Sequence, residues 1–215
     1  NGRDMFWIIF AVAFWGFFHS FNSSYAVKEF VRRALGDGFM KFYRLAFNVF
    51  AVLTFLPIPL LLVALPSRLL YRAPFPFGQM MIAGQVFFAA CLFTAFYHYG
   101  ILYFIGVRQL DEHSGERNLV VSGSYAVVRH PFYTYFLFFL WLTPLMTVNL
   151  LIVYLSLTIY IHVGIYFEER KLLCEFGEQY AKYRANTPML IPGLKFGGNK
   201  PRSSLVLEPQ STDKA

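Results

Sequence analysis

Charge is scarce in this chain. Only 14% of its 215 residues are charged, where a soluble domain carries about one quarter. Cysteine is nearly absent. Cys91 lies within an apolar run and Cys174 after a charged cluster, so neither a disulfide framework nor a metal-ligand spacing can be built from them. No basic run is interleaved with exposed aromatic residues, which argues against a nucleic-acid partner. No small-residue cleavage site follows the first apolar run, so a signal peptide is not expected there. No internal repeat is visible, unlike many transporters. What the chain has in excess is hydrophobic residues at 57%, aromatics at 20%, and 26 phenylalanines. Composition of this kind makes lipid the expected solvent and predicts an all-α membrane protein of about five transmembrane helices.

The apolar runs set the order. Met5–Phe21 approaches one span and carries Trp7, Trp15 and His19. Asn22–Arg44 reads as a polar loop with a turn at Gly36-Asp37-Gly38. Leu45–Leu65 is a second span, which Pro57 and Pro59 must kink. A short proline-rich loop, Pro66–Phe77, follows. The third run, Gly78–Gly106, is longer than a span and must tilt or project; Tyr97, His98, Tyr99 and Tyr103 gather toward its end. Val107–Arg117 is a polar loop beginning near Gln109. Phe132–Thr147 and Leu150–Phe167 form a tight C-terminal hairpin, fully crossing or re-entrant. The first arm reaches only about 24 Å of a ~30 Å core. Glu168–Arg184 then carries Leu172, Phe176, Tyr180 and Tyr183 at helical spacing, as an amphipathic cytosolic helix would. Three regions are expected: residues 1–106 as an N-terminal three-helix membrane part, 107–196 as the functional core, and 197–215 as a disordered tail.

Five crossings with the N-terminus outside place sixteen of the nineteen Lys and Arg on inner segments. Arg3, Arg68 and Arg72 are the outer three. This asymmetry favours that orientation, with the functional face toward the cytoplasm.

Two polar knots interrupt the apolar pattern. The first is LVVSGSYAVVRHPFY, residues 119–133; the second is Glu168-Glu169-Arg170-Lys171. An Arg-His pair at the mouth of a membrane helix is costly unless it binds something. The Ser122-Gly123-Ser124 turn exposes backbone, and Pro131 suits the first turn of a helix. The free N–H groups and positive dipole of that helix suit a carboxylate, toward which His130 also donates. Glu168 offers an acceptor for an ammonium or ribose hydroxyls. The hairpin returns Glu168 to the side where His130 starts, so the two subsites together fit a zwitterion. The competing reading is structural, an interfacial salt bridge from Arg129 or His130 to Glu168 or Glu169. His19 and His98 each read either as a packed, hydrogen-bonded residue or as the lining of a polar cavity.

These residues also form a known pattern. SGSYAVVRHPFY with EERKLLCEFGEQYAKYRANTPMLIP resembles the integral-membrane methyltransferases of the isoprenylcysteine carboxyl methyltransferase and phospholipid methyltransferase superfamily. The resemblance implies S-adenosylmethionine as cofactor. It also implies contacts to it from Gln109, Asn118, Leu119, Val120, Tyr125, His130, Pro131, Phe132, Tyr133 and Glu168. One departure stands out. Prenylcysteine enzymes carry an Arg one helical turn before the first Glu, where this chain has Gly164. HSFNSSYAVKEF, YRLAFNVFAVLTFLPIP, IGVRQ and FLWLTPLMT look like the NnrU-like branch, which includes the bacterial methanethiol S-methyltransferases. That resemblance implies methyl transfer to a small thiol.

A small thiol needs deprotonation, and Arg129, His98, Tyr97 and His19 are the candidates to assist it. A small apolar substrate can arrive from membrane lipid while the charged cofactor arrives from the cytosol. Two other expectations compete: methylation of a prenylcysteine carboxylate or lipid amine, and a membrane accessory or transport protein without enzyme activity.

Overall fold

A computed structural model describes residues 2–99 and 119–194, the side chains of residues 96–99 excepted. Gln109 and Asn118 lie outside the described residues, and the side chains of Tyr97 and His98 lie outside the described side chains. The chain is an all-α membrane protein. The helices are α1 (Gly2–Ser23), α2 (Tyr25–Phe55), α3 (Pro57–Ala64), α4 (Phe77–Tyr99), α5 (Ser124–Val127), α6 (Pro131–Trp141) and α7 (Val148–Asn186). Two short strands, β1 (Leu69–Arg72) and β2 (Leu145–Thr147), complete it.

Four described segments are long and apolar enough to cross a membrane: Gly2–Ser23, Tyr25–Ala64, Phe77–Ala95 and Val148–Asn186. Of the five crossings expected, Phe132–Thr147 is the one that departs. Its helix stops at Trp141 after 11 residues, or about 16 Å. The chain beyond Pro144 becomes β2 instead of continuing that helix, and α7 begins directly at Val148.

β2 pairs antiparallel with β1, which lies in the stretch expected to be a plain proline-rich loop. The Ala73 amide donates to Pro144 O at 2.8 Å and the Val148 amide to Arg68 O at 2.9 Å. At a membrane boundary such pairing satisfies backbone groups that a helix end leaves open. Asn149 completes the corner, its amide on Ser67 Oγ at 3.0 Å and its side chain on Pro66 O at 3.3 Å.

The expected polar loop Asn22–Arg44 is mostly helical. Ser24 caps α2 by accepting from the Val27 amide. Glu29 pairs with Arg33 at 3.0 Å and Arg32 at 3.7 Å along one face. These one-turn pairs support a helix that the count of charges had argued against. Gly36, at φ 80°, turns the helix back. Its second half then runs antiparallel to α1. Tyr43 donates to Asn22 O at 2.5 Å, and Trp15 Nε1 to Ala51 O at 3.0 Å. The prolines act as expected: α2 ends at Phe55, and Pro57 opens α3 at its first position.

The core joins α1, α3, α6 and α7 through Ile8, Val12, Ile58, Leu140, Val153 and Leu157. On α7 the buried positions Asn149, Val153, Leu157, Ile161, Ile165 and Glu169 recur every four residues. Residues four apart share a helix face, so the row that builds the core ends on a carboxylate. Gly16 of α1 lets Tyr160 of α7 approach, since a Cβ there would meet the ring at 3.0 Å. α4 packs on α6, where Phe88 stacks on Phe138 at 4.8 Å and Gln85 donates to Phe139 O at 3.0 Å.

Candidate functional site

The two knots meet. The span expected over Leu150–Phe167 and the amphipathic helix expected over Glu168–Arg184 form one continuous helix, α7, which runs from the core through both glutamates. It kinks at Gly177 (φ 49°, ψ −126°), a conformation glycine adopts without strain. The chain after it folds back along the RHP segment. The Arg129 amide donates to Pro188 O at 2.8 Å and the His130 amide to Met189 O at 3.2 Å. Thr134 Oγ1 donates to Leu190 O at 2.8 Å. This backbone bracket fixes the start of α6 against the end of α7.

Arg129 locks the bracket. Its Nε and Nη2 both reach Glu169 Oε1 at 2.7 Å. Its Nη1 donates to Arg184 O at 2.9 Å and to Thr187 O at 2.5 Å. Arg184 Nε meets the other oxygen of Glu169 at 3.2 Å. His130 Nε2 lies 3.3 Å from Glu169 Oε1. Burial alone would raise the Glu169 carboxyl. Hydrogen bonds from His130 and Arg129, with the Arg129 charge, overcome burial and hold it at about 2. The interfacial salt bridge weighed from sequence is therefore present, and it uses Glu169. Arg129, a candidate to assist deprotonation, has its guanidinium engaged by one carboxylate and two carbonyls.

Glu168 sits about 100° around α7 from Glu169. Its side chain is 44% exposed, and His130 Nδ1 lies 3.8 Å from Oε2. The Tyr133 phenol is close enough to interact with it. His130, Tyr133 and Glu168 thus surround one spot at the mouth of α6, with Pro131 fully buried behind them and Phe132 half-buried. The His130 and Tyr133 rings lie 5.8 Å apart.

The approach loop is open. Gly123, at φ 63°, has no atom within 4 Å of where a Cβ would stand. Leu119 is half-buried and Val120 is exposed. Tyr125 is held through its carbonyl by the Tyr183 hydroxyl at 2.6 Å. Burial pushes the Tyr183 phenol up to about 12, so it remains a donor. Tyr180, only 1% exposed, has a hydroxyl without a hydrogen-bond partner among the described residues. Charges of Glu169, Arg129, Glu168 and Arg184 surround it.

His19 stands apart from this cluster, on the last turns of α1. Its ring lies 6.3 Å from that of Tyr160. Tyr160 is in turn within electrostatic range of Tyr133.

Sequence reasoning missed Arg184, Thr134, Tyr160 and the carbonyls of residues 187–190. The four-residue row on α7 was a usable signal for Glu169. Backbone carbonyls carry no side-chain signature, so nothing marked Pro188–Leu190.

Comparison with characterised proteins adds chemistry to this geometry. The chain is similar to methanethiol S-methyltransferases. It is 48% identical over 71 residues to that of Pseudomonas deceptionensis, covering 33% of this chain and 27% of that protein. It is 49% identical over 70 residues to methanethiol S-methyltransferase 2 of Bradyrhizobium diazoefficiens, covering 33% and 27%. Against the Mycobacterium tuberculosis enzyme it is 44% identical over 68 residues, covering 32% and 28%. The matched stretch spans just over a quarter of these curated relatives. No family model matches the chain, and no solved structure does.

Proposed function

We propose that the protein is an integral-membrane methyltransferase that moves a methyl group from S-adenosylmethionine to a small thiol, with methanethiol giving dimethyl sulfide. The observation that carries the reading is Glu168. It is a half-exposed carboxylate just past the apolar part of α7, beside His130 and the N-terminus of α6, while its neighbour Glu169 holds the fold. The local identity to methanethiol S-methyltransferases supports the same reading.

The residues fit such a ligand. Glu168 can accept from an ammonium or from ribose hydroxyls. The positive end of α6, with His130, suits a carboxylate. The space in front of Gly123 admits a ligand close to the backbone. When bound, S-adenosylmethionine supplies an already activated methyl group. The protein's part is to hold donor and acceptor in line and at close range. Tyr133 and His130 orient Glu168, and the Arg129–Glu169 bracket keeps that orientation rigid. We place this face in the cytoplasm, following the distribution of Lys and Arg, and the helices in a bacterial inner membrane, in keeping with the bacterial source of the matched relatives.

Calorimetry with the detergent-purified full chain tests the proposal. S-adenosylmethionine should bind, and Glu168→Ala should lose that binding while remaining folded. No binding by folded wild-type protein would end the methyltransferase reading and favour a membrane accessory protein. Hydrophobic carboxylates or lipid amines outcompeting small thiols would move the acceptor to the other classes. Against a prenylcysteine carboxylate stands Gly164, which places no basic group one turn before Glu168 and has open space before its Cβ position.

A further inference from the structure

His19 has the most unusual environment outside the knot. Its Nδ1 is buried and has no hydrogen-bond partner among the described residues. The rings of Phe47 and Trp15 stand edge-on to it, at 4.9 and 5.2 Å between centroids, with Tyr160 at 6.3 Å. The other polar atoms of this cage are committed. Trp15 Nε1 donates to Ala51 O at 3.0 Å, and the Tyr160 hydroxyl bonds Ser20 Oγ at 3.0 Å. A lone imidazole nitrogen at this depth has neither protein nor bulk water to satisfy it, a costly arrangement.

The cage adjoins a groove. Between the end of α1 and the two arms of α2 lies a cavity of about 420 Å³, lined by Phe18, Phe21, Leu35, Phe39, Phe47 and Phe50 among others. Phe47 is shared by groove and cage. The walls are mainly apolar and aromatic, with Asn22 and Tyr43 as the polar lining, so the groove suits a small, uncharged molecule. On the other side, Tyr160 stands on α7 about two turns before Glu168.

We infer that the His19 cage, walled by Trp15, Phe47 and Tyr160 and reached through the groove between α1 and α2, is the acceptor subsite, which takes a short-chain neutral thiol and uses His19 Nδ1 as general base. The inference rests on the methyl-transfer reading and assigns its second substrate. Three aromatic rings offer favourable contacts to a sulfur atom. Nδ1 takes the S–H proton. The resulting thiolate sulfur forms a bond to the donated methyl carbon. The bond from that carbon to the sulfonium sulfur breaks, and its electron pair stays on that sulfur. The proton then leaves the imidazolium for water, so atoms and charge balance.

The test uses full-length wild type, His19→Ala and His19→Gln in detergent. Calorimetry follows S-adenosylmethionine binding, and labelled methyl transfer to methanethiol and ethanethiol is measured from pH 6 to 10. Both variants should bind S-adenosylmethionine within about twofold of wild type. At pH 7 both should lose about 100-fold or more in kcat, the usual contribution of a general base. That deficit should shrink as pH approaches the range where thiols ionise, near or above ~8.5, because solution then supplies the thiolate. The glutamine variant keeps a polar side chain but takes no proton, so it should follow the alanine variant. Wild-type turnover in either variant at pH 7, or a deficit constant across pH, would overturn the assignment. A wild type that binds no S-adenosylmethionine would instead remove the parent reading, so the two failures are distinguishable.

Discussion

Glu168 and Glu169 are adjacent in sequence and face different tasks. Glu169 closes the buried row of α7, and contacts to Arg129, His130 and Arg184 surround it. Glu168, about 100° around the same helix, keeps 44% of its side chain exposed, with His130 at 3.8 Å. One carboxylate organises the chain fold, and the other is the one we propose for the ligand. The difference comes from helix phase: the same chemical group is buried and paired or left half-exposed according to which face the core occupies.

Removing each group in turn is the way to break this comparison. The largest effect should come from Glu169→Ala. It strips the buried Arg129 side chain, 10% exposed, of its counter-ion. Breaking a buried pair costs about 3–5 kcal/mol. Thermal unfolding in detergent should show a strongly lowered midpoint, and S-adenosylmethionine binding should fall with it. A variant that melts like wild type would mean the bracket is held by its backbone bonds and not by the ion pair.

Acid gives a graded version of the same change. In the folded chain the Glu169 carboxyl is held at about 2, below its ordinary 4.5. A depressed carboxyl contributes its full stability above the unfolded value, and that contribution is lost as pH falls toward the folded one. Unfolding midpoints should therefore fall between pH 4.5 and 2. The Glu169→Gln chain should lack that component, its remaining slope coming from other acids. An equal slope in both chains would refute the assignment.

Glu168→Ala should be milder and more selective. An exposed carboxylate changes stability by about 0.5 kcal/mol or less. A charge-assisted hydrogen bond to a ligand is worth about 1.5–3 kcal/mol, or roughly 10- to 100-fold in affinity. Calorimetry beside a melting curve separates the two. Stability lost without any change in affinity would assign Glu168 to the fold, and the contrast with Glu169 would disappear.

The sequence made the frame legible where chemistry repeats over many residues. The apolar runs, the kink at Pro57 and the convergence of RHP with EE all follow from patterns of length and polarity. The helix over Tyr25–Arg44 was obscured because five basic residues there outweigh, by simple counting, the one-turn pairs of Glu29 with Arg32 and Arg33. The β1–β2 pairing joins Leu69 to Thr147, a contact no local pattern encodes. The return of Pro188–Leu190 onto Arg129, His130 and Thr134 is made by carbonyls, which every residue owns. At the knot, the residue types were readable, but their division of labour needed the phase of α7. For His19 the sequence left packing and cavity lining open, and the unpartnered nitrogen beside an aromatic groove is a three-dimensional fact.

The smallest effect tests how far the bracket reaches toward the ligand. Tyr183 lies beyond the Gly177 kink, and its hydroxyl donates to Tyr125 O at 2.6 Å. Tyr125 belongs to the short helix α5, between the Gly123 turn and Arg129. Tyr183→Phe keeps the ring and removes only that bond, at a cost of about 1 kcal/mol. The bond joins the folded-back end of α7 to the approach loop, so the loss should be local. Amide exchange should speed up across residues 123–128 and stay unchanged along residues 150–165. Affinity for S-adenosylmethionine should weaken by about fivefold or less, since the loop must be reordered on binding. Faster exchange with unchanged affinity would show that the loop is positioned by the bracket but does not touch the ligand. The functional side of the knot would then narrow to His130, Tyr133 and Glu168.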